Sequence, residues 1–153
     1  MEEHLLQQKA DIIVACFGMN ESFDGPAGIE SFQESLRDFI ASVRDLQPGG
    51  SEPEVVLVSP VAHEQLGGNL PDGAVHNADL AEYTEAIRSV ASEQGARFID
   101  LYSPTWARMA DPTSTPITIN GIHLNDGGRW PYMPSCVPGL PCCLPSLPSC
   151  VPG

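Results

Sequence analysis

Residues Asp11 to Gly18 read D-I-I-V-A-C-F-G. Apolar side chains follow one another without alternation, and a glycine closes the run. Such a stretch suits a short strand buried on both faces, the environment of a parallel sheet. By the same logic Cys16 reads as a buried, unreactive thiol. Downstream, Gly18 to Gly25 is a turn-rich loop, and Pro26 stands near a helix start. Ile29, Phe32, Leu36, Phe39, Ile40, Val43 and Leu46 then recur at helical spacing, so one face of that helix is buried. Pro48-Gly49-Gly50 ends it.

The unit repeats. Glu54 to Val58 predicts a second buried strand, stopped by Ser59-Pro60. A long loop runs to Asn77, which reads as the N-cap of a helix whose apolar face is Leu80, Tyr83, Ile87 and Val90. Gly95 closes that helix in the manner of a C-cap. Arg97 to Leu101 predicts a third strand, and Ser103-Pro104 opens another long loop that reaches Thr118. This β-α-β-α-β order requires a parallel sheet with helices packed on it.

Ligands of parallel α/β sheets bind beyond the carboxyl ends of the strands, so the loops there hold the candidate chemistry. In Gly18-Met19-Asn20-Glu21-Ser22 the glycine lets the chain turn directly after a strand. The amide of Asn20 can then point at a developing oxyanion, a role that contributes about 10²- to 10³-fold where it has been tested. The plainer alternative is an asparagine bonded to its own turn. In Asn120-Gly121-Ile122-His123, a polar residue three positions before the histidine can accept a bond from the imidazole. The other ring nitrogen is then left to take a proton. A partly buried histidine bonded to a carbonyl is the alternative. His63 and Glu64, in the loop after the second strand, are candidates for substrate contacts or for capping a turn.

Together these blocks resemble the SGNH (GDSL-like) ester hydrolases. Gly18-x-Asn20 is similar to the family's third block, and Asn120-x-x-His123 to its fifth, usually written Asp-x-x-His. G-M-N-E-S-F, S-P-V-A-H-E and I-T-I-N-G-I-H-L-N resemble the SGNH domains of large bacterial multidomain proteins, over about Ala10 to Gly127. The resemblance implies a three-layer α/β/α, flavodoxin-like domain that cleaves acyl or acetyl esters, often on sugars, without a cofactor or metal. It assigns His123 as the base, Asn120 as its orienting partner and Asn20 as an oxyanion donor. The family nucleophile is the serine of a Gly-Asp-Ser block after the first strand. No Gly-Asp-Ser occurs here, and Ser22 and Ser59 stand in other blocks. The chain therefore reads as a domain that starts near the family's third strand, its first strands missing, and as inactive by itself. Two further departures are Glu21, where aspartate is common, and Asn120, where aspartate is usual. They leave open a second class, a non-catalytic SGNH-like module that binds a sugar or protein.

Composition narrows the partners. The 153 residues carry 20 acidic against 7 basic side chains, a formal net charge of -13. Nucleic-acid binding depends on basic residues that neutralise phosphates, so this balance argues against it and against anionic membrane surfaces. No apolar run approaches the roughly 20 residues of a spanning helix, and Met1-Glu2-Glu3-His4 lacks the basic and apolar regions of a signal peptide. A small-molecule or carbohydrate ester remains the expected partner. Past Arg129 the character changes. Residues 130–153 hold no charge and repeat Pro-Ser-Cys-Val-Pro-Gly at 134–139 and 148–153. Prolines at this density exclude helix and central strand, and the cysteines lack a C-x-x-C spacing for zinc. We therefore expect a domain over residues 1–129 and a tail outside the fold.

Overall fold

A computed structural model describes residues 2–128, so the tail lies outside the described residues. The elements are α1 (Glu2–Gln8), β1 (Ile12–Cys16), α2 (Ile29–Leu46), β2 (Glu54–Val58), α3 (Gly73–Gln94), β3 (Arg97–Ile99) and α4 (Tyr102–Met109). Short 3-10 turns at Glu21–Asp24 and Pro26–Gly28 lead into α2. The three strands form one sheet in the order β1-β2-β3. Both pairings are parallel, with Ile13 beside Val55, Ala15 beside Leu57, and Leu57 beside Phe98. The expected α/β class with a parallel sheet is therefore present.

One face of the sheet carries the main core. Ile13, Ala15, Val55 and Leu57 point into it. From α2 come Phe32, Leu36, Ile40 and Val43, and from α3 come Tyr83, Ile87 and Val90. Each buried valine, leucine, isoleucine or phenylalanine among them contributes about 1.5–3 kcal/mol. The Arg37–Glu93 ion pair that also joins α2 to α3 is 35% and 50% exposed. A pair so open to solvent is screened and contributes little. Apolar packing, not charge, fixes these helices.

The strands differ on the opposite face. β2 is buried there too, through Val56 and Val58. β1 instead alternates: Ile12 is 41% and Val14 60% exposed, while Ile13 and Ala15 are buried. The expectation of burial on both faces thus holds for β2 and fails for β1, because among the described residues nothing packs over Ile12 and Val14. Cys16 lies on this open side and is exposed rather than buried.

Three boundaries also depart from the sequence reading. The N-cap of α3 is Asp72, whose carboxylate accepts from the Ala74 N–H at 2.8 Å. Asn77 lies inside the helix and is buried, since its amide pairs with the backbone of His63. β3 ends at Ile99 because the next residues start α4, where a loop was expected. Ser59 Oγ accepts from the Leu101 and Tyr102 N–H groups at 2.8 and 3.0 Å. Asp100 accepts from the Ser103 N–H and hydroxyl. Pro104 falls in the first turn, where a missing N–H costs no helical bond.

Candidate active site

All three strands run the same way, so the loops after β1, β2 and β3 gather at one sheet edge. The first is a tight turn. Gly18 has φ +106°, and a Cβ there would come within 3.1 Å of Ile87 and 3.3 Å of Pro60, so only glycine fits. The turn closes on itself. Gly18 N–H donates to Glu21 Oε2 at 2.9 Å, and Ser22 N–H to Gly18 O at 3.1 Å. Asn20 sits at its exposed apex, capping the following turn with no side-chain bond. Among the described residues nothing engages its amide, which leaves its N–H groups available to a ligand.

Beneath Asn20 lies a buried polar column. Ser22 Oγ donates to Met19 O at 2.8 Å and lies 2.7 Å from His76 Nε2. His76 Nδ1 in turn lies 2.9 Å from His63 Nδ1. Ser22, His76 and His63 are each less than a tenth exposed. Burial holds both imidazoles below the ordinary histidine range. The neighbouring His63 adds to this for His76, while Asp72 and Asp79 pull His63 and His76 back in part. Phe23 stacks on His76, with ring centroids 4.0 Å apart. His63 is fixed through its backbone, which exchanges two hydrogen bonds with the Asn77 amide at 2.8 and 2.7 Å.

Beyond α4 the chain folds into a small hairpin. Thr118 and Leu124 form an antiparallel bridge, flanked by Ile119 N–H to His123 O and Asn125 N–H to Ile117 O, both 2.9 Å. Its tip carries Asn120 and His123, both exposed. Asn120 Oδ1 accepts from His123 N–H at 3.1 Å and lies 3.0 Å from His123 Nδ1. With the Nδ1 proton directed at Asn120, the His123 Nε2 lone pair is free to accept a proton. Gly121, at φ +95°, passes against His63, and a Cβ there would come within 2.7 Å of His63 Nε2.

Of the residues singled out from sequence, Asn20, Asn120 and His123 all lie exposed in loops at this edge. His63 and Glu64 do not face solvent. Glu64 is only 8% exposed, and its carboxylate accepts from the Ile117 and Thr118 N–H groups and from the Thr118 hydroxyl. Both serines are committed inside the fold, Ser22 to the column and Ser59 to the start of α4. Sequence reading missed His76 and Thr118, whose partners lie 54 residues away in each case. No local signal marks them. A cavity of about 250 Å³ opens beside the first turn, between Glu21, Asp24, Phe32, Phe39 and Tyr83, and neither Asn20 nor His123 lines it. Among the described residues no group of three histidine, cysteine or acidic side chains could hold a metal ion. None of the described helices is long and apolar enough to cross a membrane.

No curated protein matches the sequence. Similar solved structures include a catalytic variant of an acetylxylan esterase from Geobacillus stearothermophilus, with a TM-score of 0.62, 17% identity, and coverage of 83% of this chain and 57% of that one. A second acetyl xylan esterase gives a TM-score of 0.64 at 21% identity, covering 84% of this chain and 66% of its own. A peptidoglycan O-acetylesterase gives 0.63 at 19% identity, covering 83% and 36%. The chain thus spans between about a third and two thirds of these structures, and at such identities the likeness is one of fold. The model of the GDSL-like lipase/acylhydrolase family matches residues 1–130, most of the sequence. The chain belongs to the GDSL-like lipase/acylhydrolase family.

Proposed function

We propose that this chain carries the oxyanion and general-base half of a serine ester hydrolase that removes acyl groups, with acetyl esters of carbohydrates as the substrate class. The observation that carries the reading is the exposed pair at the hairpin tip, Asn120 Oδ1 3.0 Å from His123 Nδ1. It supplies a base whose ring is held through Nδ1 and is exposed to solvent. His123 would take the proton of an attacking serine, form the tetrahedral intermediate's cationic partner, and return the proton to the leaving alcohol. Asn20, on the same sheet edge with an unengaged amide, would donate to the oxyanion. Two of the structurally similar proteins are acetylxylan esterases and a third is a peptidoglycan O-acetylesterase, which supports acetylated sugars.

The nucleophile is not Ser22 or Ser59, since both are buried and hydrogen-bonded inside the fold. It belongs to a Gly-Asp-Ser segment that these 153 residues do not contain. The expected result is that the chain alone hydrolyses short-chain p-nitrophenyl esters no faster than its His123→Ala variant, because no activated nucleophile is present. Turnover that depends on His123 in the chain alone would defeat this assignment.

One observation favours a second reading, a non-catalytic module that binds a sugar. Asn120 orients the ring but offers no negative charge to an imidazolium, and the equivalent exchange in a serine protease costs about 10⁴-fold. Asn120→Asp separates the two. In a protein supplied with the serine segment, an enzyme should gain about 10-fold in kcat, less than the buried protease case because this pair is exposed and screened. No turnover in either form would favour the binding module.

A further inference from the structure

The dipeptide His63-Glu64 lies between the two halves of the site. His63 points towards the first turn, Glu64 towards the histidine hairpin. We infer that these two residues are positioning residues, which hold the oxyanion turn and the general-base hairpin in fixed register through two separate buried connections. The inference rests on the ester-hydrolase reading for the meaning of Asn20 and His123, but the connections themselves do not depend on it.

The first connection can be assigned proton by proton. Ser22 has one hydroxyl proton, and given to Met19 O it leaves only an oxygen lone pair for His76. His76 must then be the donor at Nε2. A neutral imidazole with Nε2–H has a bare Nδ1, which accepts from His63. His63 is therefore the Nδ1–H tautomer, with a bare Nε2 against Gly121. Each proton is used once, and every bond runs in the same direction, from the hairpin side to the carbonyl next to Asn20. The reverse direction would give the Ser22 proton to His76 and leave Met19 O without it. Both imidazoles are held below the ordinary range by burial, which agrees with two neutral rings.

The second connection is made by Glu64. Its carboxylate accepts from Ile117 N–H at 3.0 Å and Thr118 N–H at 2.8 Å, and from the Thr118 hydroxyl. Thr118 Oγ1 then accepts from Gly121 N–H at 3.1 Å. The Glu64 N–H donates to Gly121 O at 2.8 Å, so the peptide groups around the hairpin tip are held at both ends. A carboxylate is suited to this task because it can only accept, and it faces donors alone.

The test is a long-range proton–nitrogen correlation spectrum of the imidazoles in the isotopically labelled full chain, at neutral pH. The expected signature is Nδ1–H for His63 and Nε2–H for His76. His76→Phe should keep the stacking on Phe23 but break both bonds, shifting the backbone amides of Met19 to Ser22 and those of Gly121 to His123. His76→Gln restores a donor to Ser22 and should return the first set alone. Glu64→Gln should move Ile117, Thr118 and the His123 ring, and leave Met19 to Ser22 in place. A wild-type His63 in the Nε2–H form would overturn the inference. So would a folded His76→Phe variant with unmoved Asn20 and Gly121 amides. Should His76→Phe fail to fold, the wild-type tautomers and Glu64→Gln decide. Hydrolysis is not read at any point. These tautomers in the chain, with no esterase activity once the Gly-Asp-Ser segment is supplied, would refute the proposed function and leave the connections standing.

Discussion

The turn after β1 and the hairpin after α4 meet the same sheet edge, yet they are held in opposite ways. The Asn20 turn rests on neutral groups, the chain of the Met19 carbonyl, the Ser22 hydroxyl and the His76 and His63 imidazoles. The His123 hairpin rests on a carboxylate, Glu64, that receives backbone N–H groups. In both loops the side chain proposed to do chemistry is exposed, while the groups that anchor its loop are buried beneath it. The difference has a consequence. The hairpin's anchor receives backbone N–H groups on a carboxylate, whereas the turn's anchor depends on two imidazoles that burial holds neutral. The turn's anchor should therefore weaken as its rings take up protons, and the two halves should fail differently when altered.

The sharpest separation comes from kinetics, in a protein supplied with the Gly-Asp-Ser segment. His123→Ala should lower kcat most, because loss of the base leaves the serine unactivated. Asn20→Ala should lower kcat by about 10²-fold, with KM nearly unchanged, because an oxyanion donor acts in the transition state rather than on bound substrate. Equal losses from the two variants would break the division of labour between the loops. A rise in KM alone for Asn20→Ala would reassign that residue to substrate binding.

How far the sequence discloses this arrangement depends on the range of the interaction. The parallel sheet was legible because burial on β2 imposes an unbroken apolar run, and the two long helices because one face of each repeats at helical spacing. Asn120 and His123 could be paired from sequence since a three-residue spacing brings them together. β1 misled because its composition matches β2 while its surroundings do not: an apolar side chain does not reveal whether anything packs on it. Asn77 misled for a related reason. It has the chemistry of an N-cap, but its amide binds the His63 backbone instead, and Asp72 in Pro71-Asp72-Gly73 does the capping. α4 was hidden by Ser103-Pro104, a pair equally at home in a loop or in a first helical turn. The Ser22–His76–His63 column could not be read at all. Its members are far apart along the chain, and only the folded β1, β2 and α3 bring them together.

The smallest effect is the one that isolates the neutral column, and its sign can be worked out. His63 and His76 both have folded values below the ordinary histidine value, caused first by burial. Between the folded and unfolded values the unfolded chain binds more protons, so stability increases with pH across that interval. The contribution is complete above about pH 6.5, the ordinary value, and is lost as the pH falls from there towards the folded values. The urea midpoint should therefore be level above about pH 7 and decline below about 6.5, with a slope of at most about 1.4 kcal/mol per pH unit for each extra proton bound by the unfolded chain. Charged and titratable groups facing the column are Asp72 near His63 and Asp79 near His76, and the two rings face each other. The aspartates soften the slope without reversing it, since the net direction for both rings is downward. Asp100 does not interfere. Burial pushes its carboxyl up, but bonds from Ser103 and Arg88 outweigh this and hold it below the usual carboxylate range, so its contribution is lost only in stronger acid. A double variant, His63→Asn with His76→Gln, removes both titrating rings and should flatten the midpoint between about pH 7 and 5.5. If the decline persists unchanged in that variant, the acid sensitivity lies elsewhere and the contrast between the two anchors does not hold.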